Sequence, residues 1–248
     1  MVAFLIVYFD YYLIKMKKNE IIGLISVRVS STRLPKKCLL PFGEDTILTH
    51  VIKRAINGGI TPIICTSKHE TDDVIEQVAK LNNIRCFRGE LNNRVKRWTD
   101  CLDYYGLDKC HTIDADDPFF DVDEIFKSMK ILNLNDYDYV SPSEKSSSGH
   151  ASVGYSFNIR ILKKLTALLE TNTDTELVWN FLNRIQGARS ETLENRNNKM
   201  TKMRLTLDYN EDYWLLSLIH RILGSFATRD QIEDLFEKNP ELYLINWF

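Results

Sequence analysis

The chain contains no C-x-x-C pair, no H-E-x-x-H motif, no glycine-rich G-x-x-x-x-G-K-[ST] loop and no uninterrupted apolar segment long enough to span a bilayer. Each absence removes a class of function. Cys38, Cys65, Cys86, Cys101 and Cys110 are odd in number and scattered, so a zinc site or a disulfide framework is not expected. Free thiols suit a reducing cytosol, and a cytoplasmic location is the expectation. None of the five histidines has a metal-binding spacing, and no Ser-His-Asp or Cys-His nucleophile system is apparent. The net charge is −2, from 32 basic and 34 acidic side chains, which leaves no broad electrostatic footprint for nucleic acid or a membrane surface. Any anion site must therefore be local.

The apolar and aromatic stretch Met1 to Ile14 is too short to cross a membrane, is interrupted by Asp10, and lacks a basic start and a small-residue cleavage site. It reads as an extension outside the fold. The remaining chain is expected to form one domain, residues 16–248, with residues 1–15 left out of it. At 248 residues and 44% hydrophobic it can bury a sizeable core. No internal repeat and no boundary linker is visible.

Apolar, β-branched runs alternate with amphipathic stretches at short spacing. Strands are predicted at Ile21 to Val27, Thr61 to Thr66, Ile84 to Phe87 and Cys110 to Ile113. Their continuous apolar character marks strands covered on both faces. Helices are predicted between them: one capped by Asp45 or Thr46, one opened by Thr71-Asp72-Asp73, and one from Asn92 to Tyr105. This β-α-β-α-β-α-β order implies a parallel sheet with helices on both faces and ligands at the carboxyl ends of the strands. Further on, helices are predicted over Asp121 to Leu132, Asn158 or Ile159 to Leu169, Asp174 to Ile185, after Asp208 to about Leu223, and from the Thr228-x-x-Gln231 capping box to Lys238. Tyr137 to Val140, Ala151 to Phe157 and the alternating Met203 to Asp208 read as strands, and Gln186 to Lys199 as a loop. Ser141 to His150 is polar and loop-like, either a lid or a plain surface loop.

Two stretches carry chemistry. After the first strand, Arg28, Arg33, Lys36 and Lys37 place four positive charges within ten residues, with Ser30, Ser31 and Thr32 among them. Guanidinium forks, ammonium charge and free N–H groups suit a polyphosphate; a solvated basic loop is the other reading of that composition. After the fourth strand, Asp114, Asp116 and Asp117 crowd three carboxylates into four residues. Such a cluster is either splayed in solvent as a turn or held by a hard cation.

Ser-Thr-Arg-Leu-Pro-Lys-Lys, residues 31–37, resembles the S-T-R-L-P-G-K motif of sugar-activating cytidylyltransferases, with one mismatch in seven positions. These are the CMP-KDO synthetase relatives and, closer, the spore-coat polysaccharide biosynthesis family. Asp116 falls on the metal-binding aspartate of that family's G-D-x-P motif, with Ala115 in place of glycine. Arg204, Thr206, Leu207, Asp208, Glu211 and Asp212 fall in register with R-x-T-V-D-T-P-E-D-L, and Tyr209-Asn210 replaces Thr-Pro. Asp114 stands where relatives carry a polar residue such as Thr or Gln. That departure puts the sugar in question.

The resemblance implies an α/β, Rossmann-like (GT-A-type) nucleotidyltransferase fold with a mixed, mostly parallel central sheet. It implies CMP transfer from CTP to a sugar, of the ulosonic-acid type or related, with Mg²⁺ as cofactor. The alternatives are a guanylyl- or uridylyltransferase and a non-catalytic nucleotide-binding relative. Arg28, Arg33 and Lys37 would hold the triphosphate, and Asp116 and Asp208 the metal. Ser26, Val27, Ser31, Thr32, Thr66 and Ser67 are further nucleotide-binding candidates, with the backbone from Ser26 to Arg28 reading the base edge. Asp114 and Glu176 are candidates for the acceptor side, Glu176 within a segment comparable to the family's Glu-His-Val-Thr-x-Tyr-Ile. Trp179 faces the acceptor or dimer contact, or else is core. The partners implied are CTP and a sugar acceptor, with neither nucleic acid nor membrane. A homodimer is compatible with the apolar tail Leu-Ile-Asn-Trp-Phe.

Overall fold

The computed structural model describes residues 20–147, 154–195 and 202–246. The first strand, β1 (Ile21–Ser26), is apolar up to its last residue because it has a neighbouring strand on each side and helices over both faces; Leu24 and Ile25 are fully buried. Its one glycine is required by packing. A Cβ on Gly23 would stand 2.7 Å from Ile60 and 2.9 Å from Ile113, side chains of the two neighbouring strands.

A loop and a single 3₁₀ turn (Lys37–Leu39) lead to a small hairpin, β2 (Pro41–Phe42) and β3 (Asp45–Thr46). The Thr46 hydroxyl accepts from the Thr49 N–H and starts helix α1 (Ile47–Asn57). Then come β4 (Ile60–Ser67), α2 (Asp73–Leu81), β5 (Arg85–Gly89), α3 (Arg94–Tyr105), β6 (Lys109–Asp114) and α4 (Val122–Leu134). Asn93 and Asp121 cap α3 and α4 through their side chains. The remaining elements are β7 (Tyr139–Ser141), α5 (Glu144–Ser147), β8 (Ser156–Asn158), α6 (Ile159–Leu168), α7 (Trp179–Leu182), β9 (Ser190–Thr192), α8 (Asn210–Leu223), α9 (Arg229–Lys238) and a terminal 3₁₀ segment, Pro240–Ile245.

The seven-stranded sheet runs β5-β4-β1-β6-β8-β7-β9. β5, β4, β1 and β6 are parallel; β8 is antiparallel to both β6 and β7, and β9 is parallel to β7. The chain moves outward from β1 through β4 to β5, then returns to the other side of β1 as β6. The strand order therefore reverses at β1, and the crevice beyond its carboxyl end is where such sheets bind ligands. Helices cover both faces. Val51, Ile52, Ile75, Ile125 and Met129 pack α1, α2 and α4 on one side. Trp98, Leu102, Ile161, Leu162 and Leu165 pack α3 and α6 on the other. A third cluster joins Leu34, Phe42 and Phe119 to Met203, Leu205, Leu207 and the helices α8 and α9.

Several expectations are corrected. Residues 202–208 alternate in burial as a strand would, but they form no sheet ladder. The alternation reflects Met203, Leu205 and Leu207 entering the third cluster, and the backbone meets its neighbour through Leu207 N–H to the Asp116 carbonyl, 2.7 Å. The helix expected over 174–185 contracts to Trp179–Leu182, and Trp179 is 48% exposed rather than core. The stretch read as loop from 186 contains β9, whose side chains are all exposed and so carry no apolar signal. The polar stretch expected to be a loop from Ser141 contains the short helix Glu144–Ser147, and the strand expected from Ala151 is described only as Ser156–Asn158. Residues 1–19, residues 148–153, residues 196–201 and the final Trp247-Phe248 lie outside the described residues.

Candidate functional site

At the switch point, the carboxyl ends of β1 and β6 open into a cleft of about 440 Å³. Its floor is set by the sheet. The Ser26 carbonyl accepts from Ala115 N–H (3.2 Å) and Val27 N–H donates to the Cys65 carbonyl (3.3 Å). These two groups are engaged in strand contacts. The Ser26 hydroxyl accepts from the Trp98 indole N–H at 2.8 Å.

The basic loop is tied down at four points. Val29 N–H donates to Asp72 Oδ1 (2.8 Å), and the Ser67 hydroxyl donates to the other Asp72 oxygen. Leu34 N–H donates to the Ser31 hydroxyl (3.3 Å), and the Leu34 side chain is buried in the third cluster. Arg28 donates to the Leu91 carbonyl (3.0 Å) and pairs with Glu176 at 3.5 Å. Lys36 is exposed and left-handed, with φ 55° and ψ 26°. It occupies the one motif position where the resembled family carries glycine.

Lys37 is the centre of the site. Its ammonium donates to Asp116 Oδ2 (2.6 Å), Asp208 Oδ1 (3.0 Å) and the Leu207 carbonyl (2.8 Å). Burial works against that charge, but the two carboxylates outweigh it and hold the Lys37 pKa above its ordinary value. Asp208 is met by further cations: Arg33 on Oδ1 at 2.7 Å and Arg204 on Oδ2 at 3.0 Å. Burial pushes the Asp208 carboxyl up; Lys37, Arg33 and Arg204 more than offset this and depress its pKa. Burial raises Asp116 despite Lys37, with Asp114 and Asp208 adding repulsion. Asp117 is pushed well up by burial and by Asp116 and Asp114, and accepts from the Thr206 hydroxyl at 2.7 Å.

The segment that presents Asp208 is itself braced. Asp212 accepts from the N–H groups of Asp208 (2.8 Å) and Tyr209 (2.9 Å) and from Arg204 Nε (3.0 Å). The buried Asn246 amide donates to the Asp212 carboxylate and to the Arg204 carbonyl, each at 2.9 Å.

The donor set fits a divalent cation. Asp116 and Asp208 already converge on one positive charge, and carboxylate oxygens of Asp114, Asp116 and Asp117 lie within 4.8 Å of one another. Hard oxygen ligands of this kind suit magnesium, which takes one or two carboxylates and leaves positions for phosphate. Cys38 also borders the cleft, but burial pushes its thiol up to about 12, which rules it out as a thiolate nucleophile at neutral pH.

Most of the sequence-predicted residues meet here: Ser26, Val27, Arg28, Ser31, Thr32, Arg33, Lys37, Asp114, Asp116 and Glu176 all line the cleft, and Asp208 joins through Lys37. Thr66 and Ser67 do not. Both are fully buried, and Ser67 serves Asp72 instead of a ligand. Asp72 in turn supports the loop rather than capping α2 with its side chain. Sequence reasoning missed Arg94 and Arg97, which enter the cleft from the first turns of α3. A signal was present, because basic residues with no acid in a first turn oppose the helix dipole and call for another purpose. Arg94 pairs with Asp114, and its guanidinium lies 5.1 Å from the centre of the Trp98 ring. Arg97 donates to the carbonyls of Glu90 and Leu91.

The sequence model of a family described as cytidylyltransferase matches residues 22–246. A Bacillus subtilis protein described as spore coat polysaccharide biosynthesis protein SpsF is 24% identical over 236 residues, covering 90% of this chain and 96% of that one. Among solved structures, a cytidylyltransferase from Leptospira borgpetersenii superposes with a TM-score of 0.79 at 23% identity, covering 93% of this chain and 99% of the other. The structure of CMP:2-keto-3-deoxy-manno-octonic acid synthetase complexed with CTP superposes with a TM-score of 0.64 at 12% identity, covering 82% and 99%.

Proposed function

Because this chain belongs to the cytidylyltransferase family, we propose that it transfers CMP from CTP to the hydroxyl of a sugar, of the ulosonic-acid type or related, for surface glycan synthesis. The convergence of Lys37, Asp116 and Asp208 at the end of β1, beneath Arg28 and Arg33, carries this reading. The likeness to SpsF and to a CTP-bound CMP-sugar synthetase supports the nucleotide and the class of acceptor.

The reaction is an in-line displacement. The sugar hydroxyl oxygen bonds to the α-phosphorus and gives up its proton to solvent, the bond to the bridging oxygen breaks, and pyrophosphate leaves. Such chemistry is served by positioning and by charge neutralisation. Arg28 and Arg33 fork onto phosphate oxygens, with Ser31 and Thr32 supplying hydroxyl donors. Lys37 would neutralise negative charge on the departing pyrophosphate. Asp116 and Asp208 would hold Mg²⁺, which would supply neutralisation of phosphate charge and a lowered pKa for the attacking hydroxyl. In the free protein Arg33 rests on Asp208 and Arg28 on Glu176, so nucleotide binding exchanges carboxylate partners for phosphates. Asp114 and Glu176 border the acceptor.

Residues 16–248 constitute the catalytic domain in this reading, with residues 1–15 outside it; the enzyme acts in the cytoplasm, as a homodimer. Among the described residues no helix is long and apolar enough to cross a membrane. The test is pyrophosphate release with Mg²⁺ from CTP, GTP, UTP and ATP against 2-keto-3-deoxy sugar acids, amino sugars and sugar 1-phosphates. Turnover with CTP and a keto-acid sugar is expected. Turnover confined to another nucleotide would overturn the choice of CTP, and nucleotide binding without turnover on any pair would overturn the sugar transfer.

A further inference from the structure

The carboxylates of Asp114, Asp116 and Asp117 are close enough to repel one another, and each is given a separate partner. Asp116 takes Lys37, Asp117 takes the Thr206 hydroxyl, and Asp114 takes Arg94. The third pairing stands apart. Lys37 belongs to the phosphate loop, but Arg94 comes from the first turn of α3, where a cation opposes the helix dipole. Its side chain is only 14% exposed, and its Nε is buried without a hydrogen-bond partner. Trp98, itself fixed by Ser26, supports the guanidinium from beneath. Arg94 is thus held in place at some cost, aimed at one carboxylate.

The spacing shows what that arrangement prevents. Two oxygens on one magnesium ion lie at most about 4.2 Å apart, twice a bond of about 2.1 Å. Asp114 and Asp116 offer oxygens within 4.8 Å of each other, so a small side-chain rotation would let both reach one ion. A third carboxylate would tighten the ion and take a coordination position that a triphosphate oxygen needs. We infer that Arg94 is a positioning residue that withholds Asp114 from the divalent cation held by Asp116 and Asp208. The Arg94–Asp114 pair is neutral as a unit. It leaves the ion with two carboxylates and keeps Asp114 fixed on the cleft wall.

This inference rests on the metal assignment proposed above, and the two can fail separately. The experiment is Mn²⁺ binding to the nucleotide-free full chain, followed by electron paramagnetic resonance. Arg94→Met frees Asp114 and is expected to tighten Mn²⁺ binding about tenfold. Arg94→Lys, which keeps the countercharge, is expected to bind as wild type does. The double variant Arg94→Met/Asp114→Asn removes the pair without leaving a charge behind, and its affinity should stay within about threefold of wild type. Unchanged or weaker binding by Arg94→Met overturns the inference. So does a loss of about tenfold or more in the double variant, which would make Asp114 a ligand in the wild type. If Arg94→Met alone does not fold, the double variant still decides. Asp116→Asn tests the underlying site: Mn²⁺ affinity unaffected by that change would remove the metal assignment itself.

Discussion

Lys36 is the clearest place to test the backbone argument, because its left-handed conformation falls at the single mismatch in the basic-loop motif. A non-glycine residue at φ 55° and ψ 26° brings its Cβ toward the following carbonyl, at a cost of about 1–2 kcal/mol. Glycine removes that cost but gives the unfolded chain more freedom, which returns about 0.5–1 kcal/mol. Lys36→Gly should therefore stabilise the protein by a net ~0.5–1 kcal/mol, or about 1–4 °C in melting temperature for a chain of this size. Urea midpoints at constant m-value measure it. Lys36→Ala is the control: it removes the same exposed charge and keeps the Cβ, so it should gain nothing. A gain in alanine equal to that in glycine would assign the effect to charge. A loss of stability in Lys36→Gly would refute the conformational reasoning.

Other expectations concern the charges and the buried rings. Lys37→Met leaves Asp116 and Asp208 without their shared cation and should cost about 3 kcal/mol in metal-free buffer; thermal melts should show Mg²⁺ restoring more of the variant's stability than it adds to wild type. Asp208→Asn should lower turnover by about 100-fold, read by pyrophosphate release, while circular dichroism stays that of the folded protein. His50 is buried, bonded to the Pro118 carbonyl at 2.9 Å, and lowered by burial to about 4. The unfolded state takes up its proton near pH 6.5 and the folded state only near 4, so stability is present above 6.5 and is lost as pH falls through that window, by up to about 3 kcal/mol. His50→Gln should flatten that part of the profile, measured as urea midpoints from pH 7 to 4. Asn246→Ala removes two hydrogen bonds from the Asp208 support; turnover should fall by more than the melting temperature suggests.

How far the sequence could be read depended on which physical signal each segment carried. Central strands such as Ile21–Ser26 and Ile60–Ser67 carry unbroken apolar runs, Leu24-Ile25 and Ile63-Ile64-Cys65, because both faces are covered, and residues Thr46, Asn93, Asp121, Asn158 and Thr228 mark helix starts by capping chemistry. β9 carried no such signal because all three of its side chains are exposed. Met203 to Leu207 showed a period of two, but that period reports alternate burial and says nothing of ladder pairing. Within the site, Asp116, Asp208 and Lys37 were legible through motif order. Thr66 and Ser67 were misplaced because a hydroxyl at a strand's end can serve a neighbouring carboxylate as readily as a ligand. Arg94 escaped notice because its partner, Asp114, is 20 positions away and only the fold brings them together.

The bracing of Asp208 by Asn246 has a consequence for the timing of synthesis. Sheet strands β1, β4, β5 and β6 are complete by residue 114, so the basic loop and the carboxylates that follow β6 emerge early. The second carboxylate, Asp208, gains the last of its support when Asn246 closes on Asp212 and the Arg204 carbonyl. The cleft beside the basic loop therefore has one wall that forms later than the sheet. Of the groups gathered around Lys37, the carboxylate of Asp208 thus draws part of its support from the most distant stretch of chain.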